Sequence, residues 1–409
     1  LGNDKEVRLL LFAAKLGYQI RAFADAAQRL GIDAQLVTDR CHVLDDPWAD
    51  HALPARFDDP HHSVESITGP ADGIVAVADR PLYLAALAAQ KLGLRFHSPA
   101  SILASQNKHT AREAFRDAGL LVPTYRRYAL GAAPAQQHFP CVLKPLALSG
   151  SRGVIRANNA TEFAEAWTRI GKVLSSPEIR ERRDKNDRFI QVEDYIPGRE
   201  FALEGLLTQG RLRVLATFDK PQPLEGPFFE ETIYVTPSRE DPETQARIVA
   251  AMETAVQAVG LSDGPLHGEC RVNDQGVWVL EVAGRPIGGL CSRALTFNGG
   301  QPLEELILRH ALGEDFDTRL DGPCSGVMMI PVPGSGVLST VQGLDAARQT
   351  PGVTDLLITA KEGERLIPLP EGNSYPGFIF ARGESSIEVE ASLLKAHEKL
   401  NFQLLKTLN

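Results

Sequence analysis

The chain has 409 residues, of which 43% are hydrophobic and 23% charged, and a formal net charge of −9. That length can bury a large core in two or three domains, and the balance is that of a globular protein, not a disordered or fibrous one. The negative charge argues against nucleic acid or an anionic membrane as the main partner, and no apolar run approaches the length of a membrane span.

Val7–Ala14 reads as a buried strand, Tyr18–Leu30 as a helix stopped by Gly31, and Asp33–Thr38 as a second strand. Gly73–Ala78 is another strand, followed by a helix from Leu82 to Leu92 that stops at Gly93. Strands alternating with helices predict a parallel, doubly wound sheet. Lys15-Leu16-Gly17-Tyr18 follows the first strand and is not GxGxxG, so no dinucleotide fingerprint is present. This part is expected to support a site without owning a cofactor. Cys41-His42 and His61-His62 are weak metal candidates, because adjacent side chains on a strand face opposite ways and Asp58–Ser63 reads as a loop.

Asn107-Lys108 opens a helix that runs to about Ala118, and Phe139–Leu146 is an apolar strand with Lys144 inside it. A buried ammonium needs a partner. The small-residue loop that follows contains Ser149, Gly150, Ser151, Arg152, Gly153 and Val154. Such a loop can turn several backbone N–H groups toward phosphate oxygens, with Lys144 and Arg152 adding charge, although a plain hairpin turn accounts for the loop alone equally well. Phe163–Leu174 is a helix and Ser176–Asp187 a charged, exposed stretch. Phe189–Tyr195 is a strand, another begins at Glu200, and Leu212–Phe218 continues the sheet. A Pro/Gly-rich loop with Phe228, Phe229, Glu230 and Glu231 comes before a helix at Glu243–Val259.

The stretch from Leu266 to Arg293 follows. LHGECRV and VWVLEVA are strands joined through Asn273-Asp274-Gln275-Gly276, and a three-residue loop closed by Gly276 puts Glu269 across from Glu281. His267, Glu269 and Arg271 then share a face with Val279, Glu281 and Ala283. Leu266, Cys270, Val272, Trp278, Leu280 and Val282 form the core face. Facing glutamates repel unless a cation lies between them, and two carboxylates suit Mg²⁺. A solvent-facing strand pair neutralised by Arg271 is the alternative. Five scattered cysteines without a CxxC pair support neither a zinc site nor a disulfide framework, and with no signal-peptide pattern read, a reducing cytoplasmic compartment is expected.

In this order, Asn107-Lys108, FPCVLKP, LSGSRGV, VEDYIPGREF, HGEC and LEVAGRPIGG resemble the motifs of the ATP-grasp superfamily of carboxylate–amine ligases. The run Gly326–Ala396, with GVMMIPVPGSGVL and YPGFIFARGE, is similar to the last domain of the L-amino acid (dipeptide) ligases. The resemblance implies that Lys108 and Lys144 hold the ATP phosphates under a flap formed by Ser149–Val154. It places Glu193, Asp194 and Tyr195 at the adenine, with Glu193 near its amino group, and Glu200 at the ribose hydroxyls. Glu269 and Glu281 become the ligands of Mg²⁺, with Mn²⁺ as an alternative. Arg285, Gly288 and Gly289 meet the reacting phosphoryl and carboxylate groups, and Phe228, Phe229 and Glu231 form the substrate loop. Many relatives carry Asn where this chain has Ala283, which leaves the number of metal ions open. Some carry His where it has Tyr234, so substrate preference is not carried over.

The expected fold is α/β and α+β in three parts. These are a Rossmann-like, doubly wound N-terminal domain (1–104), an ATP-grasp domain (105–312) and a small α+β C-terminal domain (313–409). The expected activity is ATP-dependent amide formation between a small-molecule carboxylate and an amine through an acyl phosphate, in which Arg285, Glu281 and Lys144 are catalytic. A biotin-carboxylase-like acceptor and a catalytically silent nucleotide-binding module are the rival readings. Neither nucleic acid nor membrane is an expected partner, and a homodimer is left open.

Overall fold

The computed structural model describes residues 7–14, 19–39, 52–134, 137–372 and 374–405. Lys15–Tyr18 and Cys41-His42 lie outside them. Among the described residues no helix is long and apolar enough to cross a membrane.

β1 (Arg8–Ala13) turns Leu9, Leu11 and Ala13 into one core and Leu10 and Phe12 into another. A strand buried on both faces requires an unbroken apolar run, and RLLLFA supplies it. α1 (Ile20–Leu30) packs Phe23, Ala26 and Ala27 on the first of these cores and ends at left-handed Gly31. β2 (Asp33–Thr38) and β4 (Gly73–Val77) flank β1 in parallel, with β3 (Leu53–Pro54) outside β2. The expected loop around His61-His62 is instead α2 (Pro60–Ser66), because Pro60 supplies a preset first helical residue. His61 and His62 lie beside Tyr83 and Glu65 there, at 3.4 and 3.7 Å on the surface. α3 (Leu82–Leu92) and α4 (Pro99–Gln106) cover the second face. Because β1 has a neighbour on each side, a crevice opens at the carboxyl ends of β1 and β4, where Ala78 and Asp79 lie.

α5 (Lys108–Asp117), capped by the Asn107 side chain, leads to a second, antiparallel sheet. It contains β5 (Tyr125–Ala129), β6 (Cys141–Pro145), β7 (Ile155–Ala157) and β8 (Phe189–Asp194) in the order β5-β8-β6-β7. α6 (Ala160–Leu174) and α7 (Pro177–Glu181) pack against it. The expectation of an exposed stretch from Ser176 to Asp187 is corrected, since Ile179 joins this core and Asp187 is buried.

The third sheet has eight strands in the order β13-β12-β9-β10-β11-β16-β20-β18. Its first five are β9 (Arg199–Thr208), β10 (Arg211–Lys220), β11 (Ile233–Thr236), β12 (Gly264–Asn273) and β13 (Gly276–Ala283), and α8 (Pro242–Val259) lies against β13. A ribbon of β14 (Thr296–Phe297) and β15 (Gln301–Pro302) leads into α9 (Leu303–Leu312). β16 (Cys324–Met329), β18 (Val353–Ile358) and β20 (Gly377–Gly383) then complete the large sheet. β17 (Gly336–Gln342), β19 (Arg365–Leu366) and β21 (Asn401–Leu405) form a separate ladder, while α10 (Leu344–Arg348) packs on β18 of the large sheet and α11 (Ser386–His397) on β16 and β20. Because β11 pairs with β16, the central and C-terminal regions share one sheet.

The β12–β13 hairpin differs from its expected form in an instructive way. Asn273 pairs with Gly276, so the loop has two residues, and a bulge at Leu280 restores the pairing of Glu269 with Glu281. The faces change as a result. Val277 and Val279 enter the core, Leu280 turns to the cavity, and the Trp278 ring N–H donates to the Asn273 side chain at 3.1 Å. The bulge puts two successive residues, Leu280 and Glu281, on the same side of the strand.

Candidate active site

The crevice of the first sheet, the hairpin carboxylates and the Ser/Gly loop meet around one cavity of about 390 Å³. Its walls include Lys108, Lys144, Ser149, Gly150, Ser151, Val154, Glu193, Asp194, Tyr195 and Glu200. Phe229, Glu231, Glu269, Glu281, Arg285, Gly288 and Gly289 line the rest, beside Asp79, Tyr234 and Tyr375. A larger, shallower groove of about 670 Å³ lies outside Glu200 and Lys220, but neither hairpin carboxylate reaches it.

Three expected site residues stand apart from the cavity wall. Arg152 is held by both oxygens of Glu178 and by the Glu371 carbonyl, and the Gly153 N–H donates to the Pro370 carbonyl. Phe228 packs against the core of the second sheet under the Arg169 guanidinium. These contacts leave Arg152, Gly153 and Phe228, expected at the site, off the lining of the cavity.

At the inner end, Lys144 Nζ is 2.5 Å from Glu193, whose other partners are Arg112 Nε at 2.9 Å and Gln191 Nε2 at 2.7 Å. Burial pushes the Glu193 carboxyl up, but Arg112 and Lys144 outweigh it and hold it at about 2. Burial brings the Lys144 ammonium down to about 8 despite Glu193. Arg112 also donates to the Val279 and Leu280 carbonyls, at 2.9 and 3.0 Å, and so fixes the bulge. Lys108 Nζ donates to the Leu148 carbonyl at 2.8 Å and lies 3.5 Å from Glu281.

At the outer end, Lys220 Nζ stands among Glu200 (2.8 Å), Glu231 (2.5 Å) and Glu269 (3.0 Å). These three carboxylates could by spacing hold a metal ion, but the ammonium already fills the space between them. Glu200 has a second cation in Arg271 at 2.9 Å, and Glu269 has one in His267 at 3.3 Å. Burial lowers His267, yet Glu204 at 2.5 Å overrides this and raises it to about 10. Among the described residues, Glu231 has no second cation besides Lys220; it accepts from the Tyr234 hydroxyl at 2.8 Å and lies against Glu269. Burial and then Glu269 raise its carboxyl to about 7 against the pull of Lys220.

Glu269 and Glu281 face each other across the ladder with side-chain exposures of 19% and 25%. Two partly open, hard oxygen donors on a rigid hairpin fit a divalent cation. Sequence reasoning missed Asp79, Gln19, Arg112, Lys220 and Glu204. Lys220 and Arg112 had a readable signal, because each is a charge within an otherwise buried pattern.

Comparison with known proteins agrees with this geometry. Residues 137–294 match the ATP-grasp domain and residues 328–404 match the L-amino acid ligase C-terminal domain 2. The chain therefore carries an ATP-grasp domain followed by a C-terminal domain of the L-amino acid ligase type. It is similar to the L-amino acid ligases along its whole length. The crystal structure of such a ligase from Bacillus licheniformis is 26% identical with a TM-score of 0.79, over 98% of this chain and 99% of that one. N5-carboxyaminoimidazole ribonucleotide synthetase from Thermotoga maritima shares the fold at a TM-score of 0.70 and 16% identity, over 97% and 99% of the two chains. The alanine–anticapsin ligase of Bacillus subtilis is 27% identical over 203 residues, 46% of this chain and 42% of its own. An uncharacterized protein of Sinorhizobium fredii is 25% identical over 315 residues, 75% of this chain and 63% of its own. The match thus spans less than two thirds of each of these two curated relatives.

Proposed function

We propose that the chain joins the carboxylate of one amino acid to the amine of another, using ATP and releasing ADP and phosphate. The observation that carries this reading is the meeting, in one cavity, of the flap and lysines with the Glu269–Glu281 pair, Arg285 and Glu231. A carboxylate is a poor electrophile, because its charge repels an amine and its oxygen leaves badly. Its oxygen attacks the γ-phosphorus of ATP, the bond to ADP breaks, and an acyl phosphate results. The amine then attacks the carbonyl carbon, the carbon–oxygen bond to phosphate breaks, and a proton leaves the nitrogen.

Lys108 and the flap amides hold phosphates, and Lys144 shares its charge between them and Glu193. Glu193, Asp194 and Tyr195, with the apolar Val142, Leu148, Ile196 and Leu280, enclose the adenine, and Glu200 faces the ribose. Glu269 and Glu281 would hold Mg²⁺ (or Mn²⁺), which supplies neutralisation of the phosphate charge. Arg285 steadies carboxylate and phosphoryl oxygens with its planar fork, and the glycine backbone at Gly288 and Gly289 approaches the same atoms. Glu231, the carboxylate of the Lys220 cage without a second cation, pairs with the substrate ammonium. The described cysteines are all unpaired, which supports a reducing, cytoplasmic setting.

The test is phosphate release from ATP over pairs of amino acids, followed by isotope transfer. With ¹⁸O in the substrate carboxylate, one labelled oxygen should appear in the released phosphate. Label-free phosphate accompanying amide product would rule out the acyl phosphate.

A further inference from the structure

The segment after the second hairpin strand is held from two sides. Ile287 donates its N–H to Glu204 at 3.0 Å and accepts at its carbonyl from Gln19 Nε2 at 2.6 Å. Two residues earlier, Arg285 Nε donates to Asp79 Oδ1 at 2.8 Å, while its Nη2 stands 4.0 Å from Glu281 Oε1. One guanidinium thus has two carboxylates within reach and is hydrogen-bonded to only one. Closing the 4.0 Å gap would add a bound guanidinium to the Lys108 ammonium already beside Glu281. Each added cation weakens the attraction of that carboxylate for a divalent cation.

Asp79 is built into place. Ala78 before it has a φ of 67°, a left-handed conformation that side chains adopt at a cost of roughly 1 kcal/mol or more. The turn directs Asp79 into the crevice at the end of β4, and its carbonyl accepts from Gln106 Nε2 at 2.5 Å. Its carboxyl remains ionised, since burial pushes it up but Arg285, Lys108 and the Ser149 hydroxyl together hold it below the usual range.

We propose that Asp79 is a positioning residue that holds the Arg285 guanidinium off Glu281, keeping the Glu269–Glu281 pair open to a divalent cation and the guanidinium turned to the substrate. The proposal rests on the reading of those two glutamates as the cation pair. Asp79→Asn keeps the shape and an acceptor but removes the charge, so Arg285 should move onto Glu281.

The probe is free Mn²⁺, titrated into the full chain without nucleotide and followed by electron paramagnetic resonance. Asp79→Asn should weaken Mn²⁺ binding roughly tenfold, and Asp79→Asn combined with Arg285→Gln should return it to within about threefold of Arg285→Gln alone. Asp79→Glu, which keeps the charge, should stay close to the parent and serves if the asparagine variant folds poorly; a tenfold loss there counts against the proposal. Unchanged Mn²⁺ affinity in Asp79→Asn, beside a weakened Glu281→Gln control, overturns the role of Asp79 and leaves the cation pair standing. Unchanged affinity in Glu281→Gln removes the cation pair and this proposal with it. Weakening in Asp79→Asn that survives Arg285→Gln shows that the effect does not run through Arg285, and also overturns it.

Discussion

At the scale of single residues, the charge balance around Lys220 decides what each carboxylate can do. Glu200 and Glu269 each have a second cation, and Glu231 does not. Removing Glu231 leaves Lys220 paired to the other two, so the site should survive while the one carboxylate of the cage without a second cation disappears. Glu231→Ala is expected to raise KM for the amino-acid substrate by one to two orders of magnitude, on the order of 1.5–3 kcal/mol for a charge-assisted hydrogen bond, and to spare ATP affinity. Steady-state kinetics with each substrate varied in turn would check this, and equal losses on both sides would sink the assignment. Lys144 was legible as a charge in an apolar strand. Its partner was not, because the Lys144–Glu193 pair depends on how β6 and β8 align, and the sequence does not state that register.

At the scale of elements, the hairpin separates what local pattern can and cannot supply. The Glu269–Glu281 pairing follows from a three-residue loop or from a two-residue loop plus a bulge, and alternation alone does not distinguish them. The choice is made by tertiary contacts. Arg112, 2% exposed, reaches from α5 to the carbonyls of Val279 and Leu280 and to Glu193. Arg112→Met would leave a buried carboxylate and two carbonyls with fewer partners, and is expected to cost about 3–5 kcal/mol in urea unfolding. A cost below about 1 kcal/mol would mean that the bulge stands without this arginine. By contrast, α1 and α3 were readable because Gly31 and Gly93 end them, and β1 because it must be apolar on both faces.

At the scale of the whole molecule, His97 joins the N-terminal region to the hairpin. Its Nδ1 accepts the Ser262 N–H at 3.1 Å, and its ring lies against Gly264 and Gly284, where an added Cβ would meet it at 3.2 and 2.6 Å. Burial lowers this imidazole from 6.5 to about 4. The unfolded chain therefore takes up a proton below 6.5 that the folded chain refuses until about 4. Stability contributed by the neutral ring is complete above that window and falls as pH drops through it, by at most about 3 kcal/mol. His97→Asn, whose side-chain oxygen can accept the Ser262 N–H, should flatten this part of the stability–pH curve. Urea midpoints of both proteins between pH 7 and 4 would measure it, and parallel slopes would exclude His97 as the cause.

The ties between the Ser/Gly flap and the C-terminal region bear on how the molecule empties itself. Gly153 and Arg152 are fastened to the carbonyls of Pro370 and Glu371, and Glu371 is held in turn by Arg169 at 2.9 and 2.8 Å. Tyr375, from the same C-terminal region, lines the cavity. If the loop covers nucleotide as proposed, lifting it breaks those bonds to Pro370 and Glu371. Under the proposed function, the flap over the nucleotide and the Tyr375 side of the cavity are therefore both tied to the C-terminal region, so release of nucleotide and release of product are expected to be coupled.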